Sequence, residues 1–207
     1  MRSTKIAESL LKINAVRIQP TTPFTWSSGW KSPIYCDNRL TLSYPEIRTA
    51  IRDAFVEIIK ADFPQVTGIA GVATGAIAHG MLVADVLNLP FVYIRAKAKG
   101  HGMKNLVEGK VDDKGTYVII EDLISTGKSS IAAVEAMQAT GATVLQTLAI
   151  FSYGFPQAEA AYQQNGTRFQ TLTNLKDLLE KATEFDYLQP QEQKTILNWQ
   201  QDPANWG

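Results

Sequence analysis

The sequence predicts an α/β protein with a central, mainly parallel sheet flanked by helices on both faces. Two observations carry this. From residue 66 to residue 181, short apolar stretches alternate with amphipathic ones, the pattern of repeated β-α-β units whose strands are buried on both sides. The turns that follow the apolar stretches at 66–72 and 117–120 are rich in glycine and hydroxyl residues, as expected where ligands sit at the carboxyl ends of parallel strands.

Taken in order, residues 3–15 place Ile6, Leu10 and Ile13 on one helical face, with Ala7 and Leu11 beside it. This predicts an amphipathic helix. Residues 20–33 carry Phe24, Trp26 and Trp30 between two prolines, which reads as a loop or short hairpin with exposed aromatics. Over 45–60, Ile47, Ala50, Ile51, Ala54, Phe55, Ile58 and Ile59 recur every three or four residues behind Pro45, a residue tolerated in a first helical turn. Strands are then expected at 66–72, 91–94, 117–120, 143–151 and 168–172. Helices are expected at 75–87, 128–139, 156–164 and 174–181, and a polar loop at 95–109. The stretch 174–207 is polar, with three Lys against six Asp and Glu, and contains Trp199 and Trp206.

Composition excludes several classes. Twenty Lys and Arg against 20 Asp and Glu leave no net charge, unlike a dedicated nucleic-acid binder. A hydrophobic content of 45% over 207 residues supports a folded core without staples. No apolar run reaches the roughly 18 residues that span a bilayer, and residues 1–15 lack the features of a signal peptide. Cys36 is the sole cysteine, so no internal disulfide and no thiolate metal cluster is expected. A soluble, cytoplasmic protein without nucleic-acid or membrane partners follows as the expectation.

The segment that carries chemistry is 117–130, Tyr-Val-Ile-Ile-Glu-Asp-Leu-Ile-Ser-Thr-Gly-Lys-Ser-Ser. An apolar strand is followed by Glu121 and Asp122, then a hydroxyl-rich turn, then a helix. The turn's N–H groups and the positive end of the helix dipole suit a phosphate. Gly127 permits close approach of the backbone, and Ser125, Thr126, Ser129 and Ser130 offer hydroxyl donors. Two acids would repel that phosphate, but they suit the neutral hydroxyls of a vicinal diol. The pattern describes a ligand with a sugar diol next to a monophosphate. A plain helix cap explains the Ser-Thr-Gly turn but not the acids, and the Gly and Lys spacing of a Walker A loop is absent.

This segment resembles the phosphoribosyl-diphosphate motif of the type I phosphoribosyltransferase family. Over residues 5–180 the resemblance narrows to the family's orotate-transferring members. It implies a single phosphoribosyltransferase domain over 1–207, with a small hood mainly in 1–42, a core over 43–175 and a tail over 176–207. It also implies that Glu121, Asp122, Leu123, Ile124, Ser125, Thr126, Gly127, Lys128 and Ser129 bind the phosphoribosyl diphosphate, and that Ser125 also contacts orotate.

Residues 95–104, Arg-Ala-Lys-Ala-Lys-Gly-His-Gly-Met-Lys, hold four cations and no acid. Alone they read as a solvated basic loop; in this setting they suit a closing cover for a polyanion. Arg95, Lys99 and His101 match the family's catalytic loop, which reaches into the neighbouring subunit's site. The resemblance therefore implies a homodimer with shared sites, with Lys99, His101 and Asp122 catalytic. Mg²⁺ is implied as cofactor, held mainly through substrate oxygens rather than by a protein metal site.

Two further stretches fit. The Gly-rich turn in 68–76 matches the pyrophosphate loop, although close packing accounts for such glycines equally well. Residues 24–39 match the wall that holds the base. Cys36 there reads as a small packed residue, and His79 as structural. The chain departs from many relatives at Ala96, and from some at Gly75 and Ser27, each a position where those relatives carry Lys. It also departs at 152–154, where some relatives place an Arg for the orotate carboxylate and this chain has Ser-Tyr-Gly. Arg39, Lys31 and main-chain N–H groups are all candidates for that carboxylate. Two other functions share the donor motif: a purine-type phosphoribosyltransferase, and a non-catalytic regulator that senses the same donor. Residues 95–102 and 24–39 argue against the first. Zero net charge gives no support to the second.

Overall fold

In the computed structural model, which describes residues 2–26, 28–97 and 106–206, the alternation read from the sequence becomes a six-stranded sheet. Its order is β10-β9-β8-β5-β6-β7. The strands are β5 (Gly68–Val72), β6 (Phe91–Ile94), β7 (Val107–Glu108), β8 (Thr116–Ile124), β9 (Thr143–Ser152) and β10 (Phe169–Asn174). All neighbours pair in parallel except β6 with β7.

Side-chain alternation along the strands builds two cores. In β8, Val118 and Ile120 join one core while Tyr117 and Ile119 join the other, as a pleated strand buried on both faces requires. The first core is covered by α1 (Arg2–Lys12), α2 (Pro45–Asp62), α3 (Ile77–Leu87) and α6 (Leu175–Glu184). The second is covered by α4 (Lys128–Gln138) and α5 (Pro156–Gln164). Helices thus lie on both faces, as expected.

The hairpin expected before Pro33 exists as β2 (Phe24–Thr25) and β3 (Lys31–Ser32); β1 (Val16–Ile18) pairs antiparallel with β4 (Ile34–Cys36) nearby. A 3-10 helix, Asn38–Ser43, leads into α2. The aromatics expected to be exposed are half-buried instead. Trp26 packs against Tyr153, Phe155 and Trp199, because a hairpin this short has no interior of its own and buries its rings on the body.

Two elements depart from the sequence reading. Strand β7 lies within what reads as loop, held at the sheet edge by main-chain pairing. Helix α7 (Pro190–Gln201) crosses the polar tail. It starts with a capping box, in which the main-chain N–H of Gln189 donates to Glu192 Oε2 at 2.8 Å. It docks through Ile196 and Trp199, both fully buried; burying a side chain such as Ile196 contributes about 1.5–3 kcal/mol. Trp199 therefore packs on the body, and Trp206 is half-buried against the first core. Among the described residues no helix is long and apolar enough to cross a membrane.

Candidate active site

The strand order reverses between β5 and β8: β6 is added on one side of β5, and β8 to β10 on the other. Crevices at the carboxyl ends of such a pair hold ligands. The turn 73–76 and the loop 125–127 both lie there.

Strand β8 continues past the apolar stretch, with Glu121 opposite Ala149, Leu123 opposite Phe151 and Ile124 opposite Ser152. The acidic pair therefore stands inside the strand rather than beyond it. Glu121 is only 4% exposed. It accepts hydrogen bonds from Ser130 Oγ at 3.4 Å and from the main-chain N–H of Asp122 at 3.0 Å. Burial pushes the Glu121 carboxyl well above its usual range, and the charge of Asp122 pushes it further. Burial raises Asp122 as well, while its hydrogen bond with Glu121 opposes that rise. The bias toward the protonated form is the stronger at Glu121, the more buried of the two.

Asp122 is fixed from two sides. Asn38 Nδ2 donates to its carbonyl oxygen at 2.6 Å, and its carboxylate lies directly over Gly75. Beyond it, Ile124 is fully buried in the second core, so only its main chain can meet a ligand. Ser125 and Thr126 are half-buried, and Lys128 and Ser129 are exposed at the start of α4. Gly127 has φ of +81°, which glycine adopts without strain, and a Cβ there would stand 3.3 Å from Ala158 Cα. The unsatisfied N–H groups of α4's first turn lie beside this loop. Ser130 corrects the sequence reading. Its hydroxyl is buried against Glu121 and is not a donor on the loop's open side.

Next to this loop is a cavity of about 380 Å³ lined by Thr25, Trp26, Ser28, Tyr35, Cys36, Leu123, Ser125 and Tyr153. It joins the 24–36 segment to the end of β8. Tyr153 was not singled out from the sequence as a wall residue, although its place just past the end of β9 is the available signal. Lys31 Nζ donates to Thr25 Oγ1 at 2.8 Å, which places a cation beside a lining residue. Arg39 is engaged by Asp37 through bonds of 2.6 and 2.8 Å. Cys36 Sγ donates to Asn38 Oδ1 at 3.4 Å, and burial, with the charges of Asp122 and Asp37, keeps the thiol protonated.

Arg95 follows β6 and pairs with Glu108 at 3.2 Å; Lys97 is exposed. Lys99 and His101 lie outside the described residues, as does Ser27.

Comparison with known proteins decides the family. Residues 42–163 match the phosphoribosyl transferase domain family. The orotate phosphoribosyltransferase of Bacteroides thetaiotaomicron is 50% identical over 200 residues, covering 97% of this chain and 94% of its own. That of Cytophaga hutchinsonii is 48% identical over 207 residues, covering 100% and 99%. The chain belongs to the orotate phosphoribosyltransferases.

Solved structures agree. The orotate phosphoribosyltransferase from Aeropyrum pernix superposes with a TM-score of 0.76 at 31% identity, over 86% of this chain and 98% of that one. Leishmania donovani UMP synthase gives 0.81 at 25% identity, over 97% of this chain and 42% of that one. Within this chain, one departure from the wider pattern has a physical reason. Gly75 has no room for a side chain while Asp122 lies above it. His79 is buried on α3, with its Nε2 3.0 Å from Thr41 Oγ1. That hydroxyl already donates to Asn38 O at 2.5 Å, so Nε2 carries the proton and donates. The ring is structural, and it supports Asn38 from below.

Proposed function

We propose that the protein transfers the phosphoribosyl group of 5-phosphoribosyl 1-diphosphate to orotate, giving orotidine 5′-monophosphate and diphosphate, the phosphoribosyl-transfer step of pyrimidine synthesis. One observation carries this reading: the cavity walled by Trp26, Tyr35 and Tyr153 opens through Leu123 and Ser125 onto the loop 125–127. A flat base held there would stand beside the carbon that accepts it.

Asp122, with the buried Glu121 behind it, accepts hydrogen bonds from the ribose diol. The main chain of 123–127 and the first turn of α4, with Ser125, Thr126, Lys128 and Ser129, hold the 5′-phosphate, and Ser125 also meets orotate. The bond from ribose C1 to the diphosphate oxygen breaks with its electron pair on the diphosphate, as the bond from the base nitrogen to C1 forms and that nitrogen's proton passes to the departing diphosphate. Positive charge develops on the ribose ring on the way. The chain contributes positioning and charge neutralisation rather than a covalent intermediate. Arg95, Lys99 and His101 close over the departing diphosphate, Lys99 from the second subunit of a homodimer.

The donor set fits a Mg²⁺ carried by the substrate. Asp122 offers hard carboxylate oxygens beside the donor site, the ligand type that Mg²⁺ takes. When bound, the ion supplies charge neutralisation on the diphosphate; Asp122 would hold it through a water or one oxygen.

Following orotate absorbance with the donor and Mg²⁺ tests the assignment. Consumption of orotate is expected. Turnover of a purine base instead, or of neither, overturns it.

A further inference from the structure

No residue of helix α7 lines the cavity, yet two adjacent residues on it grip both sides of the aromatic wall. Trp199, fully buried, meets Trp26 edge-on at 5.8 Å and Tyr153 edge-on at 5.5 Å between ring centroids. Its indole Nε1 donates to the carbonyl of Lys31 on β3 at 3.2 Å. Gln200 Nε2 donates to the carbonyl of Tyr153 at 2.6 Å, and a Cβ on Gly154 would stand 3.0 Å from that same nitrogen. Trp26 and Tyr153 themselves lie 5.1 Å apart at 40°, and both line the cavity.

The wall is thus assembled from a two-residue-stranded hairpin and a segment beyond the end of β9, which share no ladder of main-chain bonds. Edge-on aromatic contacts are directional, and each of these hydrogen bonds ties one segment to the same helical turn. Small rotations of Trp26 or Tyr153 change the surface that a flat ring meets. We infer that Trp199 and Gln200 are positioning residues for the acceptor base, and that the C-terminal helix is in this way a working part of the orotate site and not of the donor site. This rests on the reading given under Proposed function.

The test is steady-state kinetics of the full chain with each substrate varied in turn. Gln200→Leu removes one half-buried hydrogen bond and leaves the core intact. Trp199→Phe keeps a ring but loses the bond to Lys31, and Trp199→Ala removes both. Expected is a rise in KM for orotate of about fivefold in Gln200→Leu, the size of one lost hydrogen bond. In the Trp199 series the rise is larger for Ala than for Phe. KM for the phosphoribosyl donor stays within about twofold throughout. A folded Gln200→Leu with unchanged KM for orotate, or with equal rises for both substrates, overturns the inference while wild-type turnover of orotate leaves the assigned reaction standing. A wild-type protein that leaves orotate untouched overturns both together.

Discussion

A Cβ built on Gly75 would stand 2.0 Å from Asp122 Oδ2. The turn after β5 and the acid on β8 are therefore fitted to one another, and glycine is required there by a neighbour across the sheet rather than by its own backbone. Gly75→Ala forces Asp122 out of its position, because the main chain around Asp122 is held by Asn38. Overpacking of this kind costs about 1–3 kcal/mol. If it falls on the donor site, KM for the donor rises by about tenfold or more, with little change in KM for orotate. Equal substrate constants in the variant and the wild type would show that Asp122 does not hold the ribose.

Burial separates the two acids, Glu121 being the more strongly raised. Glu121→Gln imitates the protonated carboxyl and is expected to keep donor affinity within a few-fold, whereas Asp122→Asn removes the charge and weakens it strongly. Stability gives an independent readout. Glu121 binds its proton more tightly folded than unfolded, so its contribution is full below the ordinary value of 4.5 and is lost as pH rises through the folded value. Glu121→Gln should therefore gain on the wild type as pH rises from 4.5. Thermal melts over a pH series with parallel curves would place the proton elsewhere.

Much of this arrangement was legible in the chain, and the remainder has a common cause. The order of strands and helices from residue 66 onward follows from apolar periodicity, and the donor loop from one contiguous segment. Strand β7 was not legible, because two residues paired through main chain leave no side-chain pattern. Helix α7 was not legible because only Ile196 and Trp199 are buried in it. Tyr153 and Asn38 act through contacts with residues far along the chain, to Gln200 and Asp122, and sequence spacing does not encode such contacts. The acids were legible as a pair, but the upward shift of Glu121 follows from burial.

His79 sets an acid limit on the fold. Burial, with a lesser effect from the Arg48 charge, lowers it from 6.5 to about 4, and its Nδ1 is buried without a hydrogen-bond partner. The unfolded chain binds the proton first, so this contribution is complete above 6.5 and is lost as pH falls through about 4. The loss amounts to about 3 kcal/mol. His79→Gln keeps a donor toward Thr41 and should flatten the acid limb of a urea-denaturation series run from pH 7 to 4. A variant that loses stability in step with the wild type would assign the acid limb to other groups.

Cys36 lines the base cavity but is built as a packed thiol. Burial and the charges of Asp122 and Asp37 hold it protonated above its ordinary 9.0, and only the thiolate is reactive. Labelling by a thiol reagent at pH 7 should be far slower than for a free cysteine, and Cys36→Ala should keep kcat within about twofold. Fast labelling at neutral pH, or collapse of kcat in the alanine variant, would give the thiol a part in the chemistry.

Lys99 completes the charge argument. In the proposed reaction Asp122 holds the ribose, and residues 95–104 carry four cations and no acid, a composition suited to the negative charge that gathers on the departing diphosphate. Interactions that strengthen as charge develops act on kcat more than on binding. Lys99→Ala is expected to lower kcat by roughly a hundredfold with an unchanged melting temperature. If the protein is the proposed homodimer with shared sites, mixing it with Asp122→Asn subunits should restore part of the activity, since one site of each mixed dimer then keeps both residues. Near-normal turnover by Lys99→Ala would remove the residue from the mechanism, and a mixture no more active than its parts would place each site within a single subunit.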